Sequence, residues 1–82
     1  MKKITIGTEK QIAYATTKRN KEIEQIERKI EKGGHLKSIE KKIPEMKAYI
    51  ELLKKMDNAR DILAAIEMSY GLAVKKFDKY LK

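Results

Sequence analysis

The segment KKMDNARDI, from Lys54 to Ile62, decides between two folds for this chain. Asn58 can cap a helix with its side chain, with Asp61 in the first turn, and the chain would then form a bundle of about three helices. The segment contains no glycine or proline, however, and heptad spacing of apolar residues continues across it. A continuous helix would instead give a long antiparallel helical hairpin that dimerises. We predict an all-α fold with three helices in sequence and keep the hairpin as the alternative.

The first helix is predicted over residues 9–32. Thr8 and Gln11 form a capping-box pattern at its start, and Gly33-Gly34 supply a turn at its end, with glycine able to take the left-handed conformation. Between them a helical stripe alternates steps of four and three residues. Two polar residues interrupt it, Thr16 and Arg19. The stripe consists of Ile12, Thr16, Arg19, Ile23, Ile26 and Ile30.

A second helix is predicted over residues 36–56, kinked at Pro44 because proline removes a backbone donor, so that a short helix is followed by one with Pro44 at its first position. A third is predicted over residues 58–81, continuous with the second in the hairpin alternative. Together they form one helical domain spanning residues 1–82. The heptad stripe that joins the second and third helices consists of Tyr49, Leu52, Met56, Ala59, Leu63, Ile66, Tyr70, Ala73, Phe77 and Tyr80.

The net charge of +8 is unevenly distributed along the chain. Residues 1–21 carry six basic residues and one acid, residues 22–67 are balanced, and residues 68–82 carry four basic residues and one acid. Positive surface of this kind attracts nucleic acid or an acidic protein surface. In a three-helix bundle the two basic segments would lie at opposite ends, whereas a hairpin would merge them into one basic pole.

Groups that carry out catalysis are scarce in this sequence. It has no cysteine and a single histidine, His35, which follows the Gly-Gly turn. The carboxylates mostly stand one helical turn from a cation, where they form weak surface pairs rather than acid–base sites. Too few ligands are present for a metal site. We therefore predict a protein that is not an enzyme and that uses no metal or cofactor.

Basic residues interleaved with aromatic ones suit contact with nucleic acid, because bases stack on aromatic rings. Tyr14 lies off the apolar stripe of the first helix, with basic residues nearby. The predicted partner-binding residues of this first cluster are Lys10, Tyr14, Lys18 and Arg19. A second predicted cluster near the C-terminus consists of Lys75, Lys76 and Lys79.

The stretch GTEKQIAYATTKR, residues 7–19, resembles an N-terminal motif of small proteins from phages and other bacterial mobile elements. That motif reads approximately G-[ST]-E-K-Q-[IV]-A-[WY]-A and is followed by a basic residue, here Arg19. The chain departs from it at Tyr14, where tryptophan is common, and at Thr16-Thr17, where acids are usual. The resemblance covers about a sixth of the chain, brings no catalytic residue with it, and implies a mobile-element protein in the bacterial host cell. The missing cysteines and the absence of any apolar run of about 20 residues agree with a cytoplasmic location.

Three functional hypotheses follow. The first is a non-enzymatic accessory protein that binds a host protein or nucleoprotein complex through basic surfaces and inhibits it, as an anti-CRISPR protein inhibits a CRISPR-type defence nuclease. The second is sequence-tolerant binding of DNA or RNA as a replication or packaging accessory. The third is a structural oligomerisation module that forms a homodimer. Mimicry of DNA is contradicted by the positive charge, and no membrane partner is expected.

Overall fold

The computed structural model describes residues 1–82 and contains five α-helices followed by a short 3-10 helix. The prediction of an all-α fold is confirmed, because no β-strand is present. The helices are α1 (Glu9–Gly33), α2 (Lys37–Glu40), α3 (Ile43–Lys55), α4 (Ala59–Ile66) and α5 (Tyr70–Lys76), and the 3-10 helix covers Asp78–Leu81.

Helix α1 is the long axis of the molecule. Its 25 residues extend over about 37 Å, in a molecule that measures 41 × 23 × 20 Å. At its start Thr8 Oγ1 accepts a hydrogen bond from the Gln11 amide at 3.1 Å, and Gln11 Oε1 accepts one from the Thr8 amide at 3.0 Å. This reciprocal capping box satisfies two of the amides that a helix start leaves unpaired.

The turn after α1 needs glycine for a different reason than the sequence suggests. Gly34 has φ −62° and ψ −18°, so it is not in the left-handed conformation. A Cβ atom at Gly34 would lie 2.5 Å from the carbonyl oxygen of Ile30. Glycine is therefore required because the backbone approaches the last turn of α1 closely.

Pro44 lies at the start of a new helix that follows a short one, as predicted. Helix α2 ends at Glu40, and α3 begins at Ile43 with Pro44 in its first turn. The amide that proline lacks would have no intrahelical partner at that position, so proline is tolerated there.

The chain breaks at Asp57-Asn58, which confirms the predicted cap at Asn58, and the alternative of a continuous helix, and with it the hairpin, is wrong. Asn58 has an extended backbone, and its side-chain oxygen accepts hydrogen bonds from the amides of Arg60 at 3.0 Å and Asp61 at 3.3 Å. Asn58 also pairs with Ile6 in an isolated parallel bridge. The cap and the bridge hold the break without glycine or proline.

The predicted helix over residues 58–81 is also interrupted. Helix α4 ends at Ile66, Ser69 is extended, and α5 starts at Tyr70 in a new direction. Helix α5 packs against α3, with the rings of Tyr70 and Tyr49 centred 5.0 Å apart. The reversal carries the C-terminal 3-10 helix back toward the start of α4.

The interruptions change which residues of α4 face the core. Ile62 and Ala65 are fully buried, whereas Leu63 and Ile66 of the predicted heptad stripe are only half-buried. Because α4 restarts at the Asn58 cap, the buried residues that follow Ala59 come one position earlier than the heptad pattern predicts.

Residues 1–6 form an N-terminal strap that closes one end of the core. The Lys2 amide donates to the Lys54 carbonyl oxygen at 2.7 Å, and the Thr5 amide donates to that of Asp57 at 2.9 Å. Ile4 is only 4% exposed and belongs to the single cluster of buried apolar residues. The strap therefore adds a core residue that helical periodicity does not predict.

Candidate nucleic-acid interface

Most exposed charged residues of α1 are sorted by sign onto two faces of the helix, and the half-buried Glu22 lies at the edge of the basic face, one turn after Lys18. Successive residues of an α-helix are rotated by about 100° around the helix axis. When α1 is viewed along its axis, one group of exposed residues lies within an arc of about 100°, and this arc contains no acid. We call this set the basic stripe: Lys10, Tyr14, Lys18, Lys21, Lys29 and Lys32. Four exposed acids lie together with Ala13 and Asn20 within a second arc of about 60°, and we call these acids the acidic flank: Glu9, Glu24, Glu27 and Glu31.

The lysines of the basic stripe repeat at intervals of eleven residues. Lys10, Lys21 and Lys32 follow one another at this interval, as do Lys18 and Lys29. Eleven residues make about three helical turns and about 16 Å of rise, so these residues stay aligned within about 20° per step. Lys10 and Lys32 are therefore about 33 Å apart along α1.

The five lysines of the basic stripe take part in no ion pair. The four ion pairs in the structure use other cations: Lys2, Arg28, Lys79 and Lys82. Arg28 lies within the same arc, at the angle of Lys10, but its Nη2 lies 2.6 Å from Glu24 of the acidic flank, which neutralises part of its charge. The stripe thus presents five exposed ammonium groups without internal counterions.

Tyr14 is the aromatic residue of the basic stripe and is 55% exposed. The Nζ atom of Lys18 lies 5.6 Å from the centroid of its ring, within the range of a cation–π contact. The predicted contact residues Lys10, Tyr14 and Lys18 are therefore adjacent on one exposed face.

Arg19 does not belong to this surface, although the sequence placed it among the contact residues. It is 5% exposed, and its Nη1 donates to the carbonyl oxygens of Lys2 at 2.9 Å and Met56 at 3.3 Å. Its Nε has no partner, and burial lowers the pKa of the guanidinium. Arg19 ties the N-terminal strap to the end of α3 and is not available to a partner.

The second predicted cluster, Lys75, Lys76 and Lys79, is separate from the basic stripe. It lies on α5 and the 3-10 helix, which pack mainly against α3. Lys79 Nζ lies 4.0 Å from the carboxylate of Asp61 and 5.2 Å from the ring centroid of Tyr80. Lys76 Nζ lies 5.8 Å from the ring centroid of Phe77. No hydrogen bond or ion pair joins this cluster to the stripe.

The two basic terminal segments come to the same end of the molecule, not to opposite ends as a three-helix bundle predicts. Lys2 Nζ lies 3.8 Å from Asp57. Lys79 Nζ lies 4.0 Å from Asp61, which follows Asp57 by four residues in the sequence. The hydroxyl of Tyr80 donates to Asp61 at 2.6 Å, and burial together with this hydrogen bond raises the pKa of Tyr80. The two aspartates offset part of the positive charge there.

The far end of the basic stripe opens into a groove of about 380 Å³ between α1 and α2. Half of its lining residues are cations, Arg28, Lys29 and Lys32. Ile39 of α2 packs against Gly33, where a Cβ atom would overlap it, so that α2 lies close beside the stripe. An anion bound along α1 therefore meets positive charge up to the end of the helix.

Lys21, Lys29 and Lys32 were not among the predicted site residues. Lys29 and Lys32 lie in residues 22–67, which are balanced in charge, so a sum over that segment hides them, and Lys21 lies in the basic segment 1–21 but was not placed on a helix face. Plotting the same residues at about 100° per position would have shown the stripe. No three histidine, aspartate or glutamate side chains are grouped in a way that could hold a metal ion.

No protein-family model, curated protein or solved structure matches this chain. The resemblance of residues 7–19 to a mobile-element motif stays a prediction. None of the helices has the length and apolar character needed to cross a membrane. What the structure defines is a small all-α bundle with a straight, exposed basic stripe on its longest helix.

Proposed function

We propose that this protein is a non-enzymatic binding protein that holds nucleic acid on the basic stripe of α1. One observation carries the proposal: five exposed lysines without ion-pair partners extend over about 33 Å of one helix, and no acid lies among them. A surface of this kind attracts an extended anion along its whole length.

The regular spacing favours nucleic acid over an acidic protein. Duplex DNA carries one phosphate charge per about 1.7 Å of its axis, counting both strands, so a row of lysines about 33 Å long faces a dense set of counter-charges. An acidic protein would need carboxylates placed at matching intervals over the same length. Lysine ammonium groups act as point charges toward phosphates and carry no sequence information by themselves.

The nucleic acid can be free or can be part of a nucleoprotein complex. A CRISPR-type nuclease holds a guide RNA and its target DNA and therefore offers such a ligand. Inhibition of that class of nuclease, and an origin in a phage or mobile element, rest on the resemblance of residues 7–19 and remain predictions. The basic stripe supports the contact with nucleic acid and does not identify the complex.

Fluorescence anisotropy with labelled DNA and RNA between 50 and 200 mM salt tests the proposal. Five phosphate contacts predict a slope of about −4.5 in log K against log salt for duplex DNA, or a loss of about 500-fold over this range. A folded sample that binds no oligonucleotide at 50 mM salt would refute the proposed function.

A matched pair of double variants locates the site. K18Q/K21Q removes two charges from the basic stripe and should make the slope shallower by about 2. K75Q/K76Q removes the same charge from α5 and should leave the slope unchanged. Equal effects of the two double variants would show that net charge, and not the stripe, determines binding. Circular dichroism of both variants checks that the helices are intact.

A further inference from the structure

We infer that the ligand of the basic stripe is a B-form duplex, with α1 lying along the duplex axis over one helical turn. The inference rests on the proposed function and specifies which form of nucleic acid the stripe fits. It depends on the length of the stripe, its rigidity, its convex shape and the position of the acidic flank.

The length of the stripe matches the repeat of the duplex. A strand of B-form DNA returns to the same face every 34–36 Å, or about 10 base pairs. Lys10 and Lys32 are about 33 Å apart along α1, so they can contact one strand at two successive passes. Lys18 and Lys21 lie about 12 and 17 Å from Lys10, where the other strand crosses the same face. Lys29 lies about 5 Å from Lys32, beside the second pass of the first strand.

The stripe is held rigid at both ends. The capping box fixes the first turn of α1, and the bridge between Ile6 and Asn58 ties the residues before it to the start of α4. Helix α4 packs along α1, and Ile39 of α2 packs on Gly33 at the other end. A rigid row of charges suits a rigid ligand, whereas a single strand would lose conformational freedom in following a straight line.

The surface around the stripe lacks the features that hold single strands. Proteins that bind single strands combine a positive groove with several aromatic side chains on which successive bases stack. The stripe lies on the convex outer face of α1 except at its far end, where the groove beside α2 begins, and no aromatic residue lines that groove. Tyr14 is the only aromatic residue of the stripe. Stacking on one ring cannot extend along 33 Å of helix, so contact with phosphates dominates.

The acidic flank keeps α1 from entering the major groove. A helix with its side chains is about 10–12 Å wide and the major groove about 12 Å, so an inserted helix has phosphates on both sides. With the stripe toward the floor of the groove, Glu24 and Glu31 would then face one of the two phosphate walls. Helix α1 therefore lies across the phosphates without reading base edges, and binding is tolerant of sequence.

Variants at the two ends of the stripe test this arrangement on duplexes of two lengths. Lys10→Gln, Lys32→Gln and the double variant are titrated at 50 mM salt with a 14-base-pair duplex. They are also titrated with a 7-base-pair duplex, closed by an uncharged linker so that it stays paired. A duplex of 7 base pairs covers about 24 Å and cannot reach both lysines at once. Lys55→Gln, at the exposed end of α3, is the control with the same change in charge.

On the long duplex each single variant should weaken binding about tenfold and the double variant about 100-fold, since each lysine has its own phosphate contact. On the short duplex each single variant should cost about twofold or less, because the ligand shifts to the intact end. The double variant should cost about tenfold there. A 14-nucleotide single strand should bind at least about tenfold more weakly than the long duplex.

Equal binding of single strand and duplex, or the same losses on both duplex lengths, would overturn the inference and leave the proposed function in place. Absence of binding to every oligonucleotide would instead refute the proposed function. Binding of polyglutamate in that case would assign the stripe to an acidic protein partner.

Discussion

Replacing Ile4 by alanine tests whether the N-terminal strap is part of the core. Ile4 is 4% exposed, and its side chain packs within the single apolar cluster. Truncation of a buried isoleucine to alanine costs about 2–5 kcal/mol, because apolar contacts are lost and a cavity is left. The strap lies at the end of the chain and can partly close the cavity, so we expect about 2–3 kcal/mol.

This loss is large for a domain of 82 residues, whose total stability is about 4–12 kcal/mol. With a urea dependence of about 1 kcal/mol/M for a chain of this size, the unfolding midpoint should fall by about 2–3 M. The melting temperature should fall by about 10–20 °C. Circular dichroism of helix content during urea and thermal unfolding measures both changes.

Ile6→Ala is the matched control, because it removes the same atoms from the same strap. Ile6 is 50% exposed, and its backbone contacts with Asn58 and Ala59 do not depend on its side chain. It should cost less than about 1 kcal/mol. If the two variants lower the midpoint equally, or if Ile4→Ala changes it by less than about 0.5 M, the strap is not packed as described.

Three smaller predictions concern the ends of helices and the pH dependence of stability. Asn58→Ala removes the side-chain cap of α4 and should destabilise the protein by about 1 kcal/mol in urea unfolding, and a change near zero would contradict the cap. Gly7→Ala should cost more than about 1 kcal/mol, because Gly7 has φ +138° and a Cβ atom would lie 3.0 Å from that of Ala59; a neutral result would show that the strap rearranges. The raised pKa of Tyr80 keeps its proton in the folded state above pH 10, where the unfolded chain loses it. Stability should therefore fall as pH rises past about 10. Between pH 8 and pH 10.5 the urea midpoint of Tyr80→Phe, which lacks the hydroxyl that donates to Asp61, should fall less than that of the unmodified protein.

Helix α1 is predicted well by sequence because its signals are local. The capping residues Thr8 and Gln11 and the glycine pair at its end lie within a few residues of the boundaries they set. The observed helix runs from Glu9 to Gly33, close to the predicted residues 9–32. Local hydrogen bonding and periodicity are enough to define such an element.

The second half of the chain is predicted less well because distant contacts determine its breaks. Asn58 pairs with Ile6 of the strap, which is far away in sequence. The break before α5 lets Tyr70 pack on Tyr49, and it brings Gly71 close to Glu45, where a Cβ atom would lie 3.3 Å from the carboxylate. An unbroken heptad pattern predicts none of these contacts, because tertiary packing overrides local periodicity.

Arg19 shows the same effect at the candidate site. Its charge and its neighbours in sequence suggested a contact residue, but its register in the apolar stripe with Ile23 and Ile26 placed it in the core. Two carbonyl oxygens, from Lys2 and Met56, accept its hydrogen bonds in place of a carboxylate. Neither of these partners can be predicted from helical periodicity, since one belongs to the strap and the other to the end of α3.

The separation of charges on α1 opposes the stability of the helix, and that cost is itself an argument for function. Lys18 and Lys21 are three residues apart, as are Lys29 and Lys32, and like charges at this spacing destabilise a helix by about 0.2–0.5 kcal/mol per pair. Glu22 and Glu24 lie one turn from Lys18 and Lys21 but form no ion pair with them. Placing acids of the flank between the lysines would turn repulsion into attraction without changing composition. If α1 only had to pack its apolar face, placing acids between the lysines would stabilise it. A local arrangement that costs stability without any packing benefit is typical of a binding surface, and here the repulsion between lysines is the interaction that a row of phosphates would relieve.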